Sequence, residues 1–212
     1  MLPRAAAGTD GTGVVLFQNV CAVCHGTKGE GREDMKTPSI ASLPSWYVAT
    51  QLGNFHDGRR GNNPALDPQG ATMAAIAKAV KPDQALAVAK HVEALPLVAP
   101  AQREIPGANL SDGQRMFYER CMDCHRYNAS GEMAFGSPPL VGRQGWYLIA
   151  QLKKFKQLHR GAAKGDVSGA KMTQMVTFLE NEQAMKDVVA FILTLNPKPA
   201  PAVEDELFKP RK

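Results

Sequence analysis

Four cysteines and two histidines fall into one short pattern that occurs twice: Cys21-Ala22-Val23-Cys24-His25 and Cys121-Met122-Asp123-Cys124-His125. Two thiols three residues apart lie close to one helical turn and project from one face. At that spacing they can bond to the two vinyl groups of one porphyrin, and the histidine that follows can turn its imidazole to the iron. Cys-x-x-Cys-His is the attachment sequence of a c-type haem. The two copies use all four cysteines of the chain, so two covalently attached haem c groups are expected.

Other chemistries of paired cysteines fit less well. A zinc ribbon places its second pair about 15–20 residues after the first, whereas most of a domain separates Cys24 from Cys121. A thioredoxin-type dithiol sits in a βαβ context, and the flanks here read as helical and glycine-rich. Neither of these, nor a disulfide framework, accounts for a histidine directly after both pairs.

The motifs lie 100 residues apart, and the same offset carries well beyond them. Gly13 and Phe17 recur as Gly113 and Phe117, Pro38 as Pro138, and Trp46-Tyr47 as Trp146-Tyr147. Gln51-Leu52, Phe55, Arg60-Gly61 and Leu95 recur as Gln151-Leu152, Phe155, Arg160-Gly161 and Leu195, with a slip of one residue in between. Such self-similarity marks an internal duplication. Each copy predicts a first helix leading into the motif, then a Gly- and Pro-containing loop. A middle helix follows from near Trp46 or Trp146, where apolar residues recur at helical spacing. Another loop precedes a final amphipathic helix over about 83–95 or 182–195; Asp83 after Pro82 is a start signal and Asn196-Pro197 a stop. No run alternates as a strand does. The expected fold class is all-α: two tandem units, 8–95 and 110–196, joined by a Pro-containing linker over 96–109. A flexible tail, rich in proline and charge, is expected over 197–212. Units of about 100 residues are small, so a buried haem would complete each core.

The iron face opposite each histidine needs a second ligand unless it is left open for chemistry. Met73 lies 48 residues after His25 and Met172 lies 47 after His125, each in the loop expected before the final helix. Rival residues lack this pairing. The counterpart of Met175 is Ile76, Met35 and Met133 do not match in spacing, and His56 and His159 read as surface or partly packed. His91 aligns with Phe191 and reads as replacing an aromatic packing residue. His25 with Met73 and His125 with Met172 are therefore the candidate iron ligands. A thioether raises the potential, and with both axial positions filled such an iron passes electrons.

Supporting residues can also be named. Pro38 and Pro138 each lie 13 residues after their histidine, where a carbonyl could accept the imidazole Nδ1–H; rigidifying the loop is the alternative. Trp46, Tyr47, Trp146 and Tyr147 read as core residues whose N–H and O–H groups can reach haem propionates. Arg60 and Arg160 can do so by charge-assisted hydrogen bonds.

The formal charge of +5 is uneven: residues 1–100 carry 9 basic and 8 acidic side chains, residues 101–212 carry 16 and 12. The densest basic stretch is Lys153, Lys154, Lys156, Arg160 and Lys164. No nucleic-acid motif accompanies it, and a solvated helix face is expected ahead of a docking patch for an acidic partner. No apolar run reaches the roughly 18 residues of a membrane helix. The first residues lack a secretory apolar region, yet covalent haem attachment in bacteria follows export. The chain is thus expected to be periplasmic, its leader or anchor removed, with membrane contact only through a partner or that anchor.

Over about residues 8–195 the chain resembles the dihaem class I cytochromes c of the cytochrome c4 family. The resemblance rests on the two haem motifs, the Gly-x-x-x-Phe before each, Pro38 and Pro138, the two Trp-Tyr-x-x-x-Gln-Leu segments, and Met73 and Met172. It implies two all-α cytochrome c domains about an approximate twofold axis, with His25/Met73 and His125/Met172 as axial pairs. It implies a carrier of single electrons from a quinol-oxidising complex or dehydrogenase to a terminal oxidase. The alternatives are a dihaem enzyme of peroxide or thiosulfate and sulfite chemistry, and a subunit fixed to a larger membrane complex. His91 and the tail depart from the family pattern.

Overall fold

Residues before the first cysteine lack long apolar runs, so a tight backbone crossing must anchor the first helix of each half. The computed structural model describes residues 11–196; the start of the first unit and the expected tail lie outside them. In the N-terminal half α1 (Gly11–Leu16) runs through a π turn (Phe17–Cys21) into α2 (Ala22–His25). In the C-terminal half α6 (Leu110–Met116) runs through a π turn (Phe117–Cys121) into α7 (Met122–His125). π turns often mark functional sites in helices, and here each delivers the first cysteine of its motif. The same turns bury Phe17 and Phe117 almost completely.

The middle helices α3 (Ser45–His56) and α8 (Gly145–Lys156) start where the Trp-Tyr pairs predict. The next element corrects the sequence reading. Where a loop is expected, α4 (Pro68–Lys78) and α9 (Val167–Met175) form. The Asp67 and Asp166 carboxylates cap them, accepting from the Gly70 and Gly169 amides, and Pro68 occupies the first turn of α4. Capping by Asp and a first-turn proline both favour a helix start. The Ala-rich run of α4 has good helix propensity, but neither helix has a strong apolar period. Met73 and Met172 therefore stand on capped helices. The final helices are α5 (Pro82–Ala94) and α10 (Glu182–Thr194). Among the described residues the strand-like pairing amounts to two isolated bridges, Arg32 with Thr37 and Glu132 with Ser137.

Each first helix crosses its final helix at a glycine. A Cβ on Gly13 would run into the Ala87 carbonyl, and one on Gly113 into the Asp187 carbonyl. Beside these crossings Phe17 meets His91 at 4.9 Å and Phe117 meets Phe191 at 5.5 Å between ring centroids. His91 thus fills the aromatic position that the repeat assigns to it. Among the described residues the C-terminal core holds twelve buried hydrophobic residues, against seven in the two N-terminal clusters.

The segment over 96–109 forms no helix but is not free. A Cβ on Gly142 would meet the Leu97 side chain, Ile105 joins the C-terminal core, and the Gly107 carbonyl accepts from Gln183 at 2.9 Å. The basic stretch is also corrected in part. Lys153 pairs with Glu182 at 2.8 Å, Lys154 with Asp67 at 2.5 Å, Lys156 donates to the Leu179 carbonyl, and Arg160 is buried. Lys154 and Arg160 thus turn inward to the other half, while Lys153, Lys156 and Lys164 stay on the solvated side as expected.

Gly113→Ala is expected to force α6 away from α10. It should destabilise the holoprotein by about 1–3 kcal/mol, the usual range for overpacking. Guanidinium unfolding checks this; an unchanged midpoint would mean the crossing relaxes without cost.

Candidate functional site

His25 and His125 end the short helices α2 and α7 and are buried. Each Nδ1–H donates to a proline carbonyl, His25 to Pro38 at 2.8 Å and His125 to Pro138 at 3.0 Å. That bond fixes the tautomer and leaves the Nε2 lone pair free to bind a metal. Burial lowers both imidazoles below their ordinary value, against the opposing pull of the proline carbonyls. Both are therefore neutral at neutral pH, as a metal ligand must be. The Thr37 hydroxyl donates to the Cys24 carbonyl at 2.5 Å and ties the proline loop to the motif.

Burial also pushes the Cys21 thiol up to about 11 and the Cys121 thiol up to about 12, with Cys24 and Cys124 adding to the effect. Redox dithiols have the opposite signature, a lowered pKa.

A cavity of about 1410 Å³, open mouth included, carries Cys121, Cys124, His125, Pro138 and Met172 on its wall. Leu148, Phe155, Val176, Leu179 and Val188 supply apolar surface. Met175, the rival of Met172, also reaches the cavity, half-exposed at its rim. In the N-terminal half Met73 packs on Phe55, Ala74 and Ala77. The same cavity is lined by Pro38, Tyr47 and Gln51 of the N-terminal half, so the two sites adjoin.

At their junction the repeat closes on itself. Arg60 donates to Gln51 Oε1 at 2.8 Å, to Gln151 Oε1 at 3.1 Å and to the Tyr147 hydroxyl at 3.3 Å. Arg160 donates to Gln151 Oε1 at 2.7 Å, to Gln51 Oε1 at 3.0 Å and to the Tyr47 hydroxyl at 3.1 Å. Each guanidinium also covers the phenylalanine of its own half, Phe55 or Phe155, at 4.5 Å. Burial alone would raise the Tyr147 phenol, but Arg60 and Arg160 outweigh it and hold it below the ordinary phenol value.

The twofold pattern breaks at Arg143, whose counterpart is Leu43. Its guanidinium donates to the Ser39 and Ala41 carbonyls, both at 2.6 Å. Burial pushes it down to about 10, so it stays charged at neutral pH. Gln144 accepts from the Ser39 amide at 2.9 Å and donates to the Glu30 carbonyl at 2.8 Å. Both residues clamp the loop that carries Pro38.

These residues fit a haem in chemical kind. Each half offers two thiols, a neutral imidazole with a free Nε2 and a methionine; the C-terminal cavity adds apolar walls. The junction offers buried guanidiniums with no carboxylate in ion-pair contact among the described residues, and Arg60 Nε is buried without a partner. Such donors suit the propionates. Of the tryptophans named from sequence, Trp146 has a buried Nε1 without a partner, while Trp46 packs edge-on against Tyr47 at 5.7 Å; neither lines the cavity. Gln51 and Gln151 stand in the sequence as repeat markers without a site role, and Asp67 and Asp166 do not stand out there. Their signal was available, because all four are polar residues repeated at offset 100 or 99.

The cytochrome c family pattern matches residues 12–96 and, a second time, residues 110–196. The chain belongs to the cytochrome c family. It is 33% identical over 160 residues to a thiosulfate dehydrogenase electron acceptor from Thiomonas intermedia, covering 70% of this chain and 67% of that protein. Among solved structures it is similar to the thiosulfate dehydrogenase TsdBA of Marichromatium purpuratum, with 25% identity and a TM-score of 0.67. That match takes in 86% of this chain but 39% of the other. The fold is also that of cytochrome c4 from Acidithiobacillus ferrooxidans: 24% identity, TM-score 0.62, covering 82% of this chain and 97% of that one. The all-α architecture of two tandem cytochrome c domains follows, with two covalently attached haem c groups on Cys21/Cys24 and Cys121/Cys124. This cytochrome c is a dihaem electron-transfer protein.

Denaturing mass measurement is expected to give the chain plus two haems, with acidified acetone extracting neither. Release of one haem would mean that only one motif is used.

Proposed function

We propose that this dihaem cytochrome relays single electrons in the periplasm from a dehydrogenase or quinol-oxidising complex to a terminal oxidase, with His25/Met73 and His125/Met172 as axial pairs. The observation that carries the reading is the presence of Met172 on the same cavity wall as Cys121, Cys124 and His125, with Met73 at the matching point of α4. When bound, the haems supply one-electron chemistry at iron, and a thioether ligand favours the ferrous state. The chain's own residues do the rest. Pro38 and Pro138 hold the imidazoles in one tautomer and orientation. Arg60, Arg160, Tyr47 and Tyr147 offer donors to propionates at the junction between the halves, and Trp146 offers a further buried N–H. Apolar walls exclude water and keep the surroundings fixed as charge changes.

For the donor, similarity to a protein named thiosulfate dehydrogenase electron acceptor favours a dehydrogenase. A second reading is supported by the TsdBA neighbour, of whose chain this one spans 39%: the same relay working as a permanent electron-accepting subunit of a larger enzyme. No helix among the described residues is long and apolar enough to cross a membrane, so attachment in that reading would come from a partner or from another segment.

Optical and EPR spectra of the wild type, Met73→Ala and Met172→Ala test the ligand sets. The wild type is expected to be low-spin at both irons, with each variant converting one haem and sparing the other. If either variant leaves both haems unchanged, the assignment in that half is wrong.

A further inference from the structure

The two methionine-bearing helices are held from opposite halves, and not equally. Asp67 caps α4 and is 2% exposed; its Oδ1 accepts from the Gly70 amide at 2.8 Å. The same oxygen receives Lys154 Nζ, from α8 of the other half, at 2.5 Å. The other oxygen, Oδ2, is buried without a partner. Lys154 is thus the ion-pair partner of this buried carboxylate among the described residues. Burial alone would raise the Asp67 carboxyl, but the bonds from Lys154 and Gly70 outweigh it and hold it below its ordinary value.

The twofold counterpart has the same parts with one exchange. Asp166 caps α9, accepting from the Gly169 amide at 3.0 Å. The residue facing it across the junction is Asn54, the repeat equivalent of Lys154, which donates from Nδ2 at 3.3 Å. A cationic donor at 2.5 Å on one side is matched by a neutral amide donor at 3.3 Å on the other. Both acceptors are carboxylates, and only the lysine adds the attraction of opposite charges to its hydrogen bond.

The first turn of α4 is packed closely on its cap and on the loop at Gly61. A Cβ on Gly70 would strike the Asp67 carboxylate, and one on Gly61 would strike the Gly70 carbonyl. Met73 follows Asp67 by six residues, a rise of about 9 Å along a helix. The cap and the methionine therefore move as one short rigid piece.

We propose that Lys154 of the C-terminal half is the positioning residue for Met73 of the N-terminal half. It locks the cap of α4 so that the thioether stays on its iron, while Asn54 gives Met172 a weaker hold. The inference rests on the axial assignment above and adds a control that crosses between the halves. Removing Lys154 strands a buried carboxylate, which is strongly unfavourable. The strain is relieved by displacing the first turn of α4 and Met73 with it.

The test uses the ferric holoprotein with imidazole as a competitor for the thioether position. Each haem is followed by its own methionine methyl signal in paramagnetic NMR, assigned with Met73→Ala and Met172→Ala. Lys154→Met is expected to raise imidazole affinity at the Met73 haem by about tenfold, while the Met172 haem stays within about twofold. Lys154→Arg should restore most of the wild-type behaviour. Asn54→Ala should change the Met172 haem by less than about threefold. Should Lys154→Met not mature, Lys154→Gln is read by the same criteria. Equal shifts at both haems would reduce Lys154 to general glue between the halves and overturn the proposal, as would no shift. Absence of a Met73 signal in the wild type would instead overturn the axial assignment, and the proposal with it.

Discussion

Two buried guanidiniums sharing two glutamine oxygens hold this molecule together as a pair of sites. Arg60 and Arg160 each donate to both Gln51 and Gln151. Like charges buried close together repel, and burial strips them of water. Amide and phenol oxygens compensate part of that cost, and Asp67 and Asp166 attract the cations from beyond ion-pair distance. What the junction still lacks is negative charge in direct contact. Haem propionates would provide it, so assembly of the two halves and loading of the haems favour one another.

The local geometry around each histidine follows a similar economy. A proline has no amide hydrogen, and Pro38 and Pro138 offer carbonyls to the imidazoles without a donor of their own. Burial keeps the rings neutral while the carbonyls fix the tautomer. Little in either half is needed for acid–base or nucleophilic chemistry, and the polar groups near the cavity serve orientation and charge balance.

Much of this was legible in the sequence, for a physical reason. Residues that perform the same task in both halves are repeated, so the offset of 100 exposed the motifs, the prolines, the Trp-Tyr pairs and both arginines. The helices bearing Met73 and Met172 were less visible, because neither the alanine-rich α4 nor the short, Gly- and Thr-containing α9 has a strong apolar stripe. Gln51 and Gln151 appeared as repeat markers, yet a glutamine on a helix ordinarily faces water; here the arginines of both halves turn them to the junction, Gln151 buried and Gln51 half-buried. Arg143 and Lys154 carry no repeat signal at all. Their counterparts are Leu43 and Asn54, and their strongest contacts reach across to the other half. For the same reason the inward turn of Lys154, within a basic stretch whose Lys153, Lys156 and Lys164 do face solvent, has no mark in the sequence.

The chain that joins the halves has a consequence beyond tethering. If two separate copies met through this face, every residue would confront its own twin's surroundings, and any change would appear on both sides at once. A Lys opposite one aspartate would require a Lys opposite the other. Covalent succession lifts that restriction: position 54 can be asparagine while position 154 is lysine, and position 43 can be leucine while position 143 is arginine. The molecule thereby gains a head and a tail, two stations of common design whose surroundings are not the same.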